Sequence, residues 1–145
     1  MTSDGSAAWH PLDPEYYRGP VVRVVLGTPP EPHHRPRKIE GMALIDTGAT
    51  HSMLDFQRVA TPLGLRAVDH ETMRFAGPRG PRDVPVYEAA LAFPDFDLPS
   101  RIHRISGIDL PGPFIALIGM DLLNNTRFSL HWSDDGCFLH WTSIT

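Results

Sequence analysis

Fifteen prolines punctuate this chain and limit the elements that it can form. Most of them lie in four segments, residues 11–20, 29–36, 78–85 and 94–99. Because proline has no backbone N–H to give to a β-ladder and interrupts helices, these segments are predicted to be loops. Between them, short runs of apolar and β-branched residues are typical of strands. The chain is therefore predicted to be mainly all-β, with one or two short helices.

Hydrophobic periodicity and turn residues predict the order of the elements. Strands at 21–26 and 39–46 form a hairpin, and two further strands within 71–93 flank a Gly/Pro tip. The other predicted elements are a short helix or turn before Pro62, a strand at 100–110, an apolar strand from 114 that breaks at Gly119 and leads into a short helix, and a hairpin at 127–141 that turns at Ser133–Gly136.

In the last hairpin, apolar residues alternate on both strands, which predicts one shared face against the core. The six residues on that face are Phe128, Leu130, Trp132, Cys137, Leu139 and Trp141. His131 and His140 then face away, and solvent-facing histidines are favoured over a metal pair. The loop histidines His33 and His34 lack a third ligand at useful spacing, so no metal site is predicted.

The composition is that of one globular domain, with 41% hydrophobic and 21% charged residues. A formal net charge of -4 favours neither nucleic acid nor an anionic membrane as a partner. No signal peptide or run of ~20 apolar residues is seen, so a cytoplasmic location is expected. The single cysteine, Cys137, cannot form an internal disulfide. Residues 20–145 are interpreted as the domain, and residues 1–19 as a tail, a removable pro-segment or a dimer strand.

The segment "ALIDTGATHS" (43–52) carries the candidate chemistry. An apolar strand holds the backbone rigidly up to Asp46, and Gly48 lets the chain turn sharply with no Cβ in the way. Thr47 can lock the turn by bonding to the backbone. This arrangement suits a carboxylate held in place to activate water, although Asp and Gly also occur together in plain turns. A second apolar run ends in Ile-Gly, in "ALIGMDLL" (116–123).

These two motifs, in this order and with a Gly-bearing hairpin between them, resemble those of the retropepsin-like aspartic proteases, of bacterial or cellular rather than retroviral type. About seventy residues separate the motifs. The resemblance extends over roughly residues 20 to 141 and implies a closed acid-protease β-barrel with a flap hairpin. It also implies an aspartic endopeptidase that acts on polypeptides and needs no metal or organic cofactor.

The resemblance further implies a homodimer, because the chain has one Asp-Thr-Gly motif where pepsin-like chains have two. Asp46 would meet Asp46 of a second copy across a twofold axis. Thr47 matches the threonine that interlocks across the dimer, Gly48 the glycine whose backbone meets substrate, and Gly119 the structural glycine of the second motif. Ala49 stands where pepsin-like enzymes commonly have a hydroxyl that stabilises the ionised carboxylate, which predicts a milder acidic optimum than that of pepsin.

The flap and the subsites are matched less closely. The resemblance places the flap tip near residues 76–81, where Gly77 and Gly80 permit a mobile turn and Pro78 stiffens it. Arg79 at the tip either selects acidic or polar groups of a substrate or is simply solvated. Ile118 is a candidate subsite wall.

Two departures from the retroviral pattern occur together. Thr50 and Met120 stand where many retroviral members have an Asp and an Arg that pair, so no unpaired charge is left behind. Asp121 is interpreted as a helix-start residue and not as a catalytic one. Two functions from different classes stay open: a homodimeric endopeptidase, or a non-catalytic dimer that acts as a protein-interaction or scaffolding module. A small β-barrel ligand binder with a chance motif is a remote third.

Overall fold

The computed structural model describes residues 10–11, 20–74 and 80–144. The predicted flap residues Gly77, Pro78 and Arg79 lie outside this range. In chain order the elements are β1 (His10–Pro11), β2 (Val21–Gly27), β3 (Lys38–Ile45), β4 (Met53–Asp55), a π-helical turn (Phe56–Ala60), α1 (Thr61–Leu63), β5 (Asp69–Arg74), β6 (Pro81–Ala92), β7 (Arg101–Ile108), β8 (Phe114–Ile118), α2 (Met120–Leu123), β9 (Thr126–Ser133) and β10 (Gly136–Ser143).

Six strands close into a barrel in the order β2-β3-β8-β4-β7-β6, and β2 pairs with β6 to complete the circuit. Strand β5 pairs only with β6 and extends the sheet outside that circuit. The expected closed all-β barrel with short helices is therefore confirmed. The hairpins β2–β3, β5–β6 and β9–β10 also match the prediction, since all three pair antiparallel.

Two parallel pairings join parts of the chain that are far apart in sequence. Strand β3 lies parallel to β8, with Ile45 opposite Ile118. Strand β4 lies parallel to β7 and antiparallel to β8. Because parallel neighbours end at the same edge of a sheet, the residues that follow β3 and β8 emerge side by side. This places Asp46 next to Gly119.

The barrel core consists of residues that alternate inward along the strands. In β2, for example, Val22, Val24 and Leu26 are buried while Arg23 is exposed. Such alternation places one face of each strand in the core and gives the other to water. The inward residues of all six barrel strands belong to one hydrophobic cluster.

A second sheet, in the order β1-β10-β9, packs against the barrel through β10. Trp141 is 2% exposed, and its ring lies 4.5 Å from that of Phe93 and 6.0 Å from that of Phe128 between centroids. The terminal strand therefore packs within its own chain. The shared apolar face is correct for most of its residues but wrong for Trp132, which is 67% exposed because it lies near the outer end of the hairpin.

Two predictions based on proline need correction. The prolines of segment 78–85 predict a loop, but Pro81 and Pro85 lie in β6. They are tolerated because this part of β6 pairs only with β5, and the ladder with β7 begins at Val86. The sequence also predicts a helix that ends before Pro62, yet α1 continues to Leu63. Pro62 stands in the first turn of α1, where a helix does not need its N–H. No helix among the described residues is long and apolar enough to cross a membrane.

Candidate active site

Asp46 leaves β3 at the edge of the barrel and is half-buried. Its backbone N–H donates to the Ile118 carbonyl at 2.8 Å, which continues the β3–β8 ladder by one residue. Its side-chain Oδ1 accepts from the Gly48 N–H at 2.9 Å, and its carbonyl accepts from the Ala49 N–H at 3.1 Å. The carboxylate is thus fixed in a tight turn that begins at a rigid strand end.

The turn that follows Asp46 is joined to the start of α2 by the backbone. Met120 N–H donates to the Ala49 carbonyl at 2.8 Å, and Asp121 N–H donates to the Thr50 carbonyl at 3.2 Å. These bonds occupy N–H groups of the first turn of α2, which a helix leaves unpaired. The two sequence motifs are therefore one structural unit.

A side-chain bridge that sequence reasoning missed reinforces this unit. Ser52, 2% exposed, donates its hydroxyl to Asp121 Oδ1 at 2.6 Å and its N–H to the same carboxylate at 3.0 Å. The Ser52 hydroxyl also accepts the Gly119 N–H at 2.9 Å. Asp121 does lie in the first turn of α2, as predicted, and Oδ1 accepts the Leu122 N–H as well. Its carboxylate thus supports the loop that carries Asp46.

At Gly119 the backbones of the two motifs approach closely. A Cβ at this position would lie 2.8 Å from the Ala49 carbonyl oxygen and 2.8 Å from the carbonyl of His51. Both are backbone groups that cannot turn aside, so the contact requires a residue without a side chain. The glycine predicted as the structural residue of the second motif therefore has a steric reason in this fold.

The other predicted site residues take different positions. Thr47 and Gly48 are exposed beside Asp46, and Ala49 is half-buried behind them. Ile118 does not form a cleft wall in this chain, because its side chain is 0% exposed within the barrel core. What Ile118 brings to the site is the carbonyl that holds Asp46. The sequence alone did not show that the face of β8 that carries Ile118 is buried in the core.

The β5–β6 hairpin occupies the position between the motifs that the resemblance gives to a flap. Its last described pair is Arg74 with Pro81. Gly80, at the end of the tip, has a φ of +67°, and a Cβ added there would meet no atom within 4 Å. The backbone angle, and not a lack of space, is therefore what favours glycine at this position. Gly77, Pro78 and Arg79 lie outside the described residues.

A second carboxylate outside the motifs stabilises the element that follows the candidate loop. Asp55, 4% exposed, caps the π-helical turn by accepting the Arg58 N–H at 2.8 Å, and it also accepts the Leu110 N–H at 2.8 Å. Arg58 donates in turn to the carbonyls of Gly112 and Phe114. Burial tends to raise the pKa of Asp55, but the hydrogen bonds from Arg58 and Leu110 outweigh it and hold the pKa below its ordinary value.

The histidines predicted as solvated agree with the structure in part. His33 and His34 are exposed, and His34 lies 3.5 Å from Glu31. His131 is exposed, whereas His140 is half-buried. Within residues 10–11, 20–74 and 80–144, no group of three or more His, Cys, Asp or Glu side chains is placed to hold a metal ion. Cys137 is half-buried in β10, and burial raises the pKa of its thiol.

Comparison with known proteins finds likenesses among solved structures. No protein-family model matches the chain, and no curated protein matches its sequence. The EIAV protease, a retroviral protease complexed with the inhibitor HBY-793, has a TM-score of 0.49 and 17% identity over 78% of this chain and 92% of that one. A retropepsin-like aspartic protease from Rickettsia conorii has a TM-score of 0.43 and 17% identity over 94% of this chain and 98% of that one. At this identity such likenesses concern fold and not chemistry.

Proposed function

We propose that this chain is a retropepsin-like aspartic endopeptidase that hydrolyses polypeptides as a homodimer. The observation that carries the proposal is the setting of Asp46. Its carboxylate lies at the surface of the barrel, yet its backbone is held by Ile118, and one of its oxygens is held by Gly48. A plain turn has no need of the further bridge through Ser52 and Asp121. Rigid support of an accessible carboxylate is what general acid–base catalysis requires.

A second copy of the chain is proposed to supply the second carboxylate. Among the described residues, no charged side chain forms an ion pair with Asp46. Thr47 and Gly48 are exposed next to it. A twofold axis beside this loop would bring Asp46 and Thr47 against their own copies, and each loop would cover the other.

In that dimer the two carboxylates share one proton, because two like charges in contact cannot easily both ionise. The ionised Asp46 takes a proton from a water molecule as its oxygen attacks the scissile carbonyl carbon. The protonated Asp46 of the other copy donates to the carbonyl oxygen. The tetrahedral intermediate then collapses, the C–N bond breaks, and the leaving nitrogen receives a proton. No metal or cofactor takes part in this scheme.

Further parts of the proposal concern the neighbours of Asp46. The Gly48 N–H orients one carboxylate oxygen at 2.9 Å, so the other is free for water or for the partner carboxylate. Ala49 has no hydroxyl to stabilise the charged form. Activity is therefore expected to peak at a milder pH than that of pepsin. The β5–β6 hairpin, including Gly80, is proposed to close over a bound polypeptide as a flap.

The Asp46→Asn variant tests the function. Wild-type protein and the variant are incubated with a library of peptides from pH 3 to pH 7, with and without a pepstatin-type inhibitor, and cleavage is followed by mass spectrometry. We expect cleavage by the wild type, inhibition, and a loss of at least about a thousandfold in the variant. Asp134→Asn, at an exposed hairpin turn, is the matched control and should retain activity. Equal cleavage by wild type and Asp46→Asn, or no cleavage at any pH, would refute the proposal and favour the scaffolding alternative.

A further inference from the structure

A pocket of about 450 Å³ lies between the start of β7, helix α2 and the end of β10, and neither Asp46 nor Gly48 is among its lining residues. Its apolar lining includes Leu91, Phe93, Leu98, Leu122 and Trp141. Leu91 and Trp141 belong to the hydrophobic core cluster, and Leu98 and Leu122 pack against it. Part of the pocket wall therefore belongs to the hydrophobic core, and exposed residues such as Arg101 and Asn125 complete the lining. The volume of the pocket is within the range of small-molecule sites.

Three charged or titratable side chains line the same pocket. Arg101 and His103 stand two residues apart on β7, which places them on one face of the strand. Asp121 lines it from α2. The pKa of His103 is lowered, mainly because the side chain is buried. The charge of Asp121 raises this pKa and that of Arg101 lowers it, but neither reverses the effect of burial. His103 is thus mainly neutral near pH 7, able to donate or accept one hydrogen bond.

Asp121 and Arg101, the two opposite charges in the pocket, differ in whether other groups of the chain already bind them. Asp121 accepts hydrogen bonds from Ser52 and from Leu122 N–H. Arg101 has no hydrogen-bonded or ion-paired acceptor within the part of the chain that the structure describes, and it is exposed. By contrast, Arg104 on the same strand pairs with Asp69 at 2.7 Å. The pocket therefore presents one available cation beside an apolar interior.

We propose that this pocket binds a small amphipathic carboxylic acid, with its apolar body against Trp141 and Leu91 and its carboxylate on Arg101. An arginine fork binds a carboxylate by two parallel charge-assisted hydrogen bonds, which gives the ligand an orientation as well as affinity. His103 contributes a neutral hydrogen-bonding group next to that carboxylate. The same chemistry is shared by a medium-chain fatty acid and by the free C-terminus of an apolar peptide. The site does not depend on the proposed protease activity.

Isothermal titration calorimetry with the full chain tests this site. The probes are octanoate, a capped apolar dipeptide with a free carboxylate, and the neutral amide of each, all below any concentration at which they aggregate. We expect at least one of the two acids to bind, and to bind about tenfold or more tightly than its own amide, since a charge-assisted pair is lost in the amide. Comparison of the two acids identifies which source the pocket prefers.

Two variants locate the binding. Arg101→Gln should weaken the acid about tenfold, whereas Arg104→Gln, three residues along the same strand and outside the pocket, should leave the affinity unchanged. Asn125→Trp, at an exposed position of the pocket lining, should block the acid without loss of the fold. Binding of neither acid, equal affinity for the acid that binds and its amide, or affinity that is unchanged in either Arg101→Gln or Asn125→Trp would overturn the proposal.

Discussion

Ser52 joins the two motifs of the candidate site through both its backbone and its side chain. It is also one of only three polar or charged residues that are fully buried among the described residues, together with Asp55 and Ser106. Within that part of the chain, every buried side-chain nitrogen or oxygen has a hydrogen-bond partner. Loss of one partner in such a network leaves another group unsatisfied, which costs more than the bond itself contributes.

We therefore expect Ser52→Ala to lower the free energy of unfolding by about 1–3 kcal/mol, because the Gly119 N–H loses its acceptor and Asp121 loses its shortest donor. Urea denaturation at pH 7 measures this. Thr72→Ala is the control, since it removes an exposed hydroxyl that donates to Asp83 at 2.8 Å. That change should cost within about 0.5 kcal/mol. If Ser52→Ala lowers the free energy of unfolding no more than Thr72→Ala does, the bridge through Ser52 does not stabilise the fold as expected.

Some residues of the candidate site could be identified from the sequence, and others could not. Asp46, Gly48 and Gly119 stand out because the local pattern of an apolar strand, a carboxylate and a glycine already carries a physical reason. Ser52 and Asp121 do not, because their bond spans 69 positions and each residue alone is typical of a turn or a helix start. Ser52 and Asp121 are brought together by the parallel pairing of β3 with β8.

The π-helical turn begins at a buried carboxylate, that of Asp55. Asp55 has a pKa held below its ordinary value by Arg58 and Leu110, against the effect of burial. A group whose pKa is depressed in the folded state stabilises the fold above its unfolded-state pKa, and this contribution is lost as the pH falls through the folded-state pKa. The ordinary value is 3.8, so the loss begins near pH 4 and continues below it.

Asp55→Asn is thus expected to destabilise the protein at pH 7 by about 1–3 kcal/mol and to flatten the fall in stability between pH 5 and pH 2. Urea denaturation at several pH values across that range measures both effects. Asp97→Asn changes an exposed carboxylate and should reproduce the wild-type slope. If the wild type and Asp55→Asn lose stability in parallel as the pH falls, then Asp55 is not the group responsible.

Elements formed by neighbouring residues are predictable from the sequence, and those that depend on distant partners are not. The three hairpins carry their own turn residues and alternation, so their pairing is readable locally. Strand β4 has three residues and no pattern of its own, and it exists because β7 and β8 lie on either side of it. The exposure of Trp132 has a similar cause, since alternation along a strand does not show where the core ends.

On the scale of the whole molecule, the proposed dimer makes a quantitative prediction about mixtures. If each working site needs Asp46 from both copies, a heterodimer of wild type and Asp46→Asn is inactive. Activity should then follow the square of the wild-type fraction, so an equal mixture retains about one quarter of the activity of wild type at the same total concentration. Peptide cleavage after the subunits have exchanged measures this. A linear dependence on the wild-type fraction would show that one copy suffices.

Support for Asp46 from residues about seventy positions later also has a consequence for biosynthesis. The strand that leads into Asp46 is made early, but the Ile118 carbonyl that accepts the Asp46 N–H and the Asp121 carboxylate that binds Ser52 are made late. Parallel pairing over such a separation forms slowly, because the entropy cost of closing a long loop comes before any stabilising contact is made. On the proposed function, a partly synthesised chain therefore has no working site. It cannot cut itself or its neighbours on the ribosome before β8 and α2 have joined the barrel.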